Sequence, residues 1–486
     1  MASTHGHYIN GKWVQASTRK TFPSINPATE KAIGRFALGN ENDVEKAVRA
    51  AENAFHAWSH TPAPKRAEVL YAAARIMEEK KEWLARRMTE EMGKVLREAR
   101  GDVQEAIDIT YYMAGEGRRM FSYTAPSELK NKTGYAMRRP IGIVGIITPW
   151  NFPLAIPAWK IMPALVGGNT IVFKPSSDTP RCAGDLVNVL SEAGLPSGVL
   201  NLVTGPANTA GQRIVQHPRI RALSFTGSKE TGEWITRNAG VKRVGLELGG
   251  KNGILVMDDA DLELAVEGIL WGAFGTTGQR CTAASRVLVH EGIEKELTEM
   301  LIKKVEKLKL GNGLKEETDV GPLINKRALE KVHEYAEIGK KEGKLLCGGN
   351  KVEGKGSFFE PTVFTRVKPH ARIAQEEIFG PVLCILHVKD LGQGIQVMNG
   401  IDYGLSSSIY TSNLYNAMKA IEEIEAGITY VNSSTIGAEI HYPFGGIKGT
   451  GNGTREAGWT GIEEFTEIKT VYIDYSGKLQ KAQGIK

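Results

Sequence analysis

Apolar residues recur at three- and four-residue spacing from about Asp43 to Met113, as in Ala67, Leu70, Ala74 and Met77. That period predicts a layer of amphipathic helices. Beyond it the chain changes to short apolar runs, each followed by glycine and a helical stretch. Ile141–Ile147, Thr170–Lys174, Val199–Val203 and Ala222–Thr226 read as strands. Asp178-Thr-Pro180 carries the cap and early proline of a helix start. A second series opens with Gly253–Met257, passes through a helix capped near Asp261 and reaches Arg286–His290. Strands alternating with helices imply parallel, doubly wound sheets, so the pattern predicts an α/β protein. Near the C-terminus, Lys469–Asp474 alternates as an edge strand does and suits completion of a neighbour's sheet.

The 486 residues accommodate two or three domains. A net charge of +6 is mild over that length, and no basic block marks a nucleic-acid partner. Cys182, Cys281, Cys347 and Cys384 stand far apart and form no CxxC or Cys/His cluster, so neither disulfides nor a metal site is expected. The N-terminal residues show no basic-then-apolar leader, and no apolar run reaches about 18 residues. A cytoplasmic chain without a membrane partner is the expectation.

Candidate chemistry begins with Phe274-Gly-Thr-Thr-Gly-Gln-Arg-Cys-Thr282. A cysteine attacks as its thiolate, and Arg280 with the amides of a tight glycine turn would lower the Cys281 pKa. The alternative is a small packed thiol. In Gly245-Leu-Glu-Leu-Gly-Gly-Lys-Asn252, Glu247 ends an apolar run. Burial there would raise its pKa and suit it to take a proton from water. The alternative is a strand glutamate paired with Lys242 or Arg243.

Leu246-Glu-Leu-Gly-Gly-Lys251 and Gly278-Gln-Arg-Cys281 resemble the two signature motifs of the aldehyde dehydrogenase superfamily. Matching segments follow the family's order along nearly the whole chain: Thr148–Pro153, Gly168–Pro175, Phe225–Ser228, Glu376–Val382 and Pro443–Lys448. The resemblance implies two doubly wound α/β domains with a small β oligomerisation arm. Residues 1–121 and 141–248 would bind cofactor, 249–428 would carry the nucleophile, and 122–140 with 429–486 would form the arm and tail, giving a homodimer or homotetramer.

The resemblance further implies oxidation of a small-molecule aldehyde to its acid, with Cys281 as nucleophile, Glu247 as deacylating base and Asn151 as oxyanion donor. Because relatives that pass the acyl group to coenzyme A do not use a glutamate at this position, hydrolysis is expected. Phe152, Trp159, Arg280, Thr282 and Phe444 would line the substrate tunnel, with 436–441 as its distal loop. The run Gly272–Arg286 is similar to the branch that oxidises 2-oxoglutarate semialdehyde, whose carboxylate tail suits basic side chains. Other semialdehydes and broad-range aliphatic or aromatic aldehydes are the alternatives. A structural, non-catalytic role stands further off, because it tolerates loss of a catalytic set that is present here.

For the cofactor, NADP or NAD, the implied residues are Thr148, Pro149, Trp150, Lys174, Ser176, Ser177, Phe225, Thr226, Gly227, Ser228, Leu248, Glu377 and Phe379. Gly227–Gly232 is not a GxGxxG turn, yet it places amides at a helix N-terminus where a pyrophosphate binds. Members that prefer NAD often carry a glutamate three residues after the lysine; Ser177 stands there instead. Loss of that carboxylate beside Lys174 predicts acceptance of a 2′-phosphate. The alternative is that Ser177 caps the following helix.

Overall fold

The computed structural model describes residues 4–483. Residues 1–3 and 484–486, the ends of the expected domain ranges, lie outside them. Helices α1 (Glu41–His60), α2 (Ala63–Glu79), α3 (Lys81–Met92) and α4 (Leu96–Glu116) form the expected layer. A capping box starts α1: the Asn40 side chain accepts from the amides of Asn42 and Asp43, while the Asp43 carboxylate accepts from the Asn40 amide. Ala67, Leu70, Ala74 and Met77 all face inward on α2. At the start of α4, Lys94 and Asp102 form a fully buried ion pair at 2.8 Å, and the second Asp102 oxygen accepts from the Ala155 amide.

Two seven-stranded sheets follow. The first runs, in space, Arg243–Glu247, Ile220–Thr226, Ile143–Ile147, Thr170–Lys174, Leu200–Leu202, His7–Ile9 and Lys12–Val14. Its first five strands are parallel, and the two N-terminal ones join antiparallel. The second runs Lys344–Cys347, Thr362–Thr365, Val382–Val388, Ala284–His290, Asn252–Val256, Ser406–Tyr410 and Ile428–Val431, all parallel except the first. The central strands Ile143–Ile147 and Val382–Val388 are largely apolar and buried, as strands covered on both faces are. The chain crosses between these sheets in the few residues from Glu247 to Asn252.

Thr466–Asp474 pairs antiparallel with Lys132–Pro140 along its whole length, and Thr124–Pro126 completes a three-stranded arm. The expected edge strand therefore pairs within its own chain and presents its other edge outward. One local expectation changes. The helix Pro180–Glu192 starts after Thr179 without a side-chain cap. Asp178 instead accepts from Asn325 Nδ2 at 3.0 Å, and Ser177 Oγ donates to the Gly205 carbonyl at 3.1 Å, so neither caps it.

Candidate active site

In-register parallel strands end together, which is where open α/β sheets gather ligands. Ile147 lies opposite Phe225, and Thr226 opposite Glu247. Their continuations, Thr148–Asn151, Gly227-Ser228 and Leu248-Gly249, thereby converge. The helix Lys229–Asn238 begins on Ser228, whose Oγ accepts from the Thr231 amide. From that N-terminus a cleft of about 350 Å³ runs to Cys281. Pro149, Trp150, Asn151, Thr226, Gly227, Ser228, Leu248, Glu377 and Phe379 line it, as expected. Thr148, Lys174, Ser176, Ser177 and Phe225 lie outside the lining. The Lys174 amine donates to the Pro175 carbonyl at 2.9 Å, and burial pushes it down to about 8.

The cleft fits a dinucleotide. It offers amides at one end, an apolar wall of Leu248, Trp150 and Phe379, and a buried carboxylate at the other end. Phe379 has the left-handed φ of 63°, and its ring meets Trp150 edge-on at 5.4 Å. Glu377 Oε1 accepts from the Gly250 amide at 2.9 Å, leaving Oε2 for ribose hydroxyls. Two glycines permit this closeness: a Cβ on Gly249 would lie 2.5 Å from a Glu377 oxygen, and one on Gly250 2.5 Å from the Cys281 carbonyl oxygen. Asp178, Asn325, Arg327 and Lys331 also line the cleft. Sequence reasoning passed over these residues because none falls in a matched motif.

Behind Cys281 lies a chamber of about 100 Å³. It brings together Cys281 and Glu247 with all five expected tunnel residues, Phe152, Trp159, Arg280, Thr282 and Phe444, plus Gly437 and Ala438 of the distal loop. Trp159 and Phe444 meet edge-on at 5.0 Å. Glu105, Ile156 and Glu456 complete the wall without having been foreseen.

The nucleophile loop is held under backbone strain. Thr276 and Thr277 have φ of 52° and 59°, a region unfavourable to β-branched residues. Three distant groups fix it. Both Glu98 oxygens accept the Thr276 amide at 2.9 Å, Thr277 Oγ1 donates to the Gly321 carbonyl, and Asn151 Nδ2 donates to the Gln279 carbonyl at 3.1 Å. The second Asn151 N–H remains available for a developing oxyanion. Asn252 Nδ2 donates to the Cys281 carbonyl at 2.7 Å and to that of Ala283 at 3.0 Å.

The surroundings of the half-buried Cys281 work against the expected lowering of its thiol pKa. Burial pushes the Cys281 thiol up to about 12, with Glu377 and Glu247 adding to the rise. The Thr282 and Cys281 amides pull the other way and lose. The Arg280 Nε donates to Thr276 Oγ1 at 2.9 Å rather than to the thiol. Glu247 has neither partner of the alternative reading: Arg243 donates to carbonyls of 463, 464 and 466, and Lys242 to that of Val215. Both Glu247 oxygens are buried without a hydrogen bond. Burial, and next the Glu456 carboxylate, hold its pKa well above the usual range against the pull of Lys160. Lys160 itself pairs with Glu456 and donates to Ser224 Oγ.

Comparison with known proteins agrees with this geometry. The profile of the aldehyde dehydrogenase family matches residues 13–471. The alpha-ketoglutaric semialdehyde dehydrogenase of Bacillus subtilis is 42% identical over 97% of this chain and 98% of its own. Among solved structures, an NAD-dependent aldehyde dehydrogenase from Sinorhizobium meliloti superposes with a TM-score of 0.96 at 36% identity, covering 99% of this chain and 97% of that one. An NADP-dependent enzyme of E. coli superposes at 0.94 with 37% identity, covering 97% and 98%. Among the described residues no helix is long and apolar enough to cross a membrane.

With its thiol near 12, the Cys281 thiolate fraction grows about tenfold per pH unit through the neutral range. Iodoacetamide labelling of Cys281 in cofactor-free protein, followed by peptide mass spectrometry, should therefore accelerate about tenfold from pH 7 to 8 and again to 9. A rate that levels off below pH 9 would mean the thiolate is already formed and the burial argument is wrong.

Proposed function

Because the chain belongs to the aldehyde dehydrogenase family, and so is an oxidoreductase that uses NAD or NADP, we propose that it oxidises a short, carboxylate-bearing semialdehyde to the diacid. The first substrate to try is 2-oxoglutarate semialdehyde. One observation carries the chemistry: Cys281 and Glu247 face a single small chamber at the end of a dinucleotide-sized cleft. The identity to a semialdehyde-oxidising relative supports the substrate class.

In this reading Cys281 Sγ adds to the aldehyde carbon, and the Asn151 amide with the Cys281 N–H receives the oxyanion; one such donor is worth about 10²–10³ in rate. When bound, the oxidised nicotinamide would supply the hydride acceptor and a positive charge that favours ionisation of Cys281, whose proton leaves to solvent in the cleft before Sγ adds. Loss of hydride from the carbon leaves a thioester on Cys281. Glu247, as its carboxylate, takes a proton from the water that attacks this thioester, and Cys281 leaves. We assign the first seven-stranded sheet to cofactor binding and the second to the nucleophile.

The cofactor reading favours NADP. No carboxylate occupies position 177, and Lys174 lies in the same strand-end segment with its amine bonded to a carbonyl rather than an acid. For assembly we propose a dimer or a dimer of dimers. Leu414, Tyr415, Met418 and Ile421 expose their side chains along one helix, and Ile468 and Tyr472 do so on the outer arm strand; exposed apolar stretches of this kind mark interfaces.

Three measurements test these points. Glu247→Gln should give a stoichiometric burst of reduced cofactor and then turnover at least about 10²-fold below wild type; full steady-state turnover would remove Glu247 from deacylation. The kcat/KM with NADP should equal or exceed that with NAD, and a hundredfold preference for NAD would end the Ser177 argument. Sedimentation velocity at micromolar protein should show a dimer or larger species, against a fully active monomer as the contrary result.

A further inference from the structure

The chamber opens outward into a mouth of about 610 Å³, and four residues line both spaces: Glu105, Phe152, Arg280 and Gly437. These four form the neck through which an aldehyde enters. Two of the cations nearby are already committed. Lys94 is paired with Asp102 at 2.8 Å, and Arg97 with Asp319 at 3.1 Å. Arg280 is held more loosely. Its Nε donates to Thr276 Oγ1, its guanidinium carbon lies 5.2 Å from the centre of the Phe152 ring, and its Nη2 makes a long ion pair with Glu98 at 3.8 Å. The side chain is only 13% exposed, and beyond that long ion pair its terminal N–H groups make no hydrogen bond among the described residues. Buried donors of this kind seek an acceptor, and a planar fork matches a carboxylate.

We infer that Arg280 is the specificity-determining residue for carboxylate-bearing aldehydes: its terminal N–H groups hold the far carboxylate at the neck while the carbonyl meets Cys281, and Glu105 provides the second contact. This rests on the semialdehyde reading above and adds the group that enforces it. Glu105 has no cation within ion-pair distance among the described residues. Burial, with Asp102 beside it, pushes its carboxyl up to about 8 against Arg280 and Lys94. Below that pH it is a neutral hydrogen-bond donor to a carboxylate, and above it a repelling charge. The charged groups facing it are Asp102 and Asp108 on its own helix, Lys94 from the preceding turn and Arg280 from the nucleophile loop, with Glu456 across the chamber.

The test is the ratio of kcat/KM for 5-oxopentanoate to that for pentanal, which share a chain length and differ only in the carboxylate. Wild type should favour 5-oxopentanoate, and Arg280→Gln should lower the ratio by about 10- to 100-fold, through KM for the acid. Arg280→Lys, which keeps the charge but not the fork, should fall between. Glu105→Gln should keep the ratio at pH 7 and abolish its decline above pH 8. A wild type that favours pentanal overturns the semialdehyde reading itself. A wild-type preference for 5-oxopentanoate that survives Arg280→Gln overturns only the assignment to Arg280.

Discussion

The reactive centre is built on the side-chain amide of Asn252. At the head of the second sheet its Nδ2 holds the carbonyls of Cys281 and Ala283, while its Oδ1 accepts the Ser406 amide. Three segments far apart in sequence thus meet on one buried group. Shifting the nucleophile would leave buried amides unpaired, at about 1–3 kcal/mol each. The same short crossover carries Glu247 at its other end, and its Gly249 and Gly250 let Glu377 and the Cys281 carbonyl close in. Cys281, Glu247 and Glu377 are therefore positioned by one stretch of backbone.

The surroundings of that stretch oppose charge on both reactive groups. Burial raises both the Cys281 thiol and the Glu247 carboxyl, and each negative charge would oppose the other. Two unpaired buried charges are costly when nothing neutralises them. The Lys160–Glu456 pair below offers a fixed field but leaves the Glu247 oxygens without a partner.

Much of this was legible in the chain. Helical spacing gave the N-terminal layer, and the glycine-bounded apolar runs fell within a residue or two of the parallel strands. The motif residues around Cys281 and Glu247 do share a chamber. What local reading could not supply was direction. Arg280 directly precedes Cys281, yet its Nε turns back to Thr276 Oγ1 and its side chain lines the chamber's neck. Ser177 precedes a helix but bonds to Gly205, a contact set by the neighbouring loop. Glu98 and Glu105 were beyond reach for another reason: both sit in an ordinary amphipathic helix pattern, and only packing brings that helix nearly 180 residues along the chain to the nucleophile loop.

The inner wall of the chamber has a different history from its floor. Phe444 and Glu456, which exchange backbone hydrogen bonds across a tight excursion, lie far downstream of Cys281 and Glu247. The same excursion runs through a short helix straight into the arm strand Thr466–Asp474, anchored on the way where Asn169 donates to the Phe465 carbonyl. During synthesis the nucleophile and base are therefore made long before the wall that encloses them. A nascent chain ending before residue 456 contains Cys281 and Glu247 but lacks Glu456 of the chamber wall. Completion of the active site is thus timed to the docking of the last segment, the one that also builds the arm.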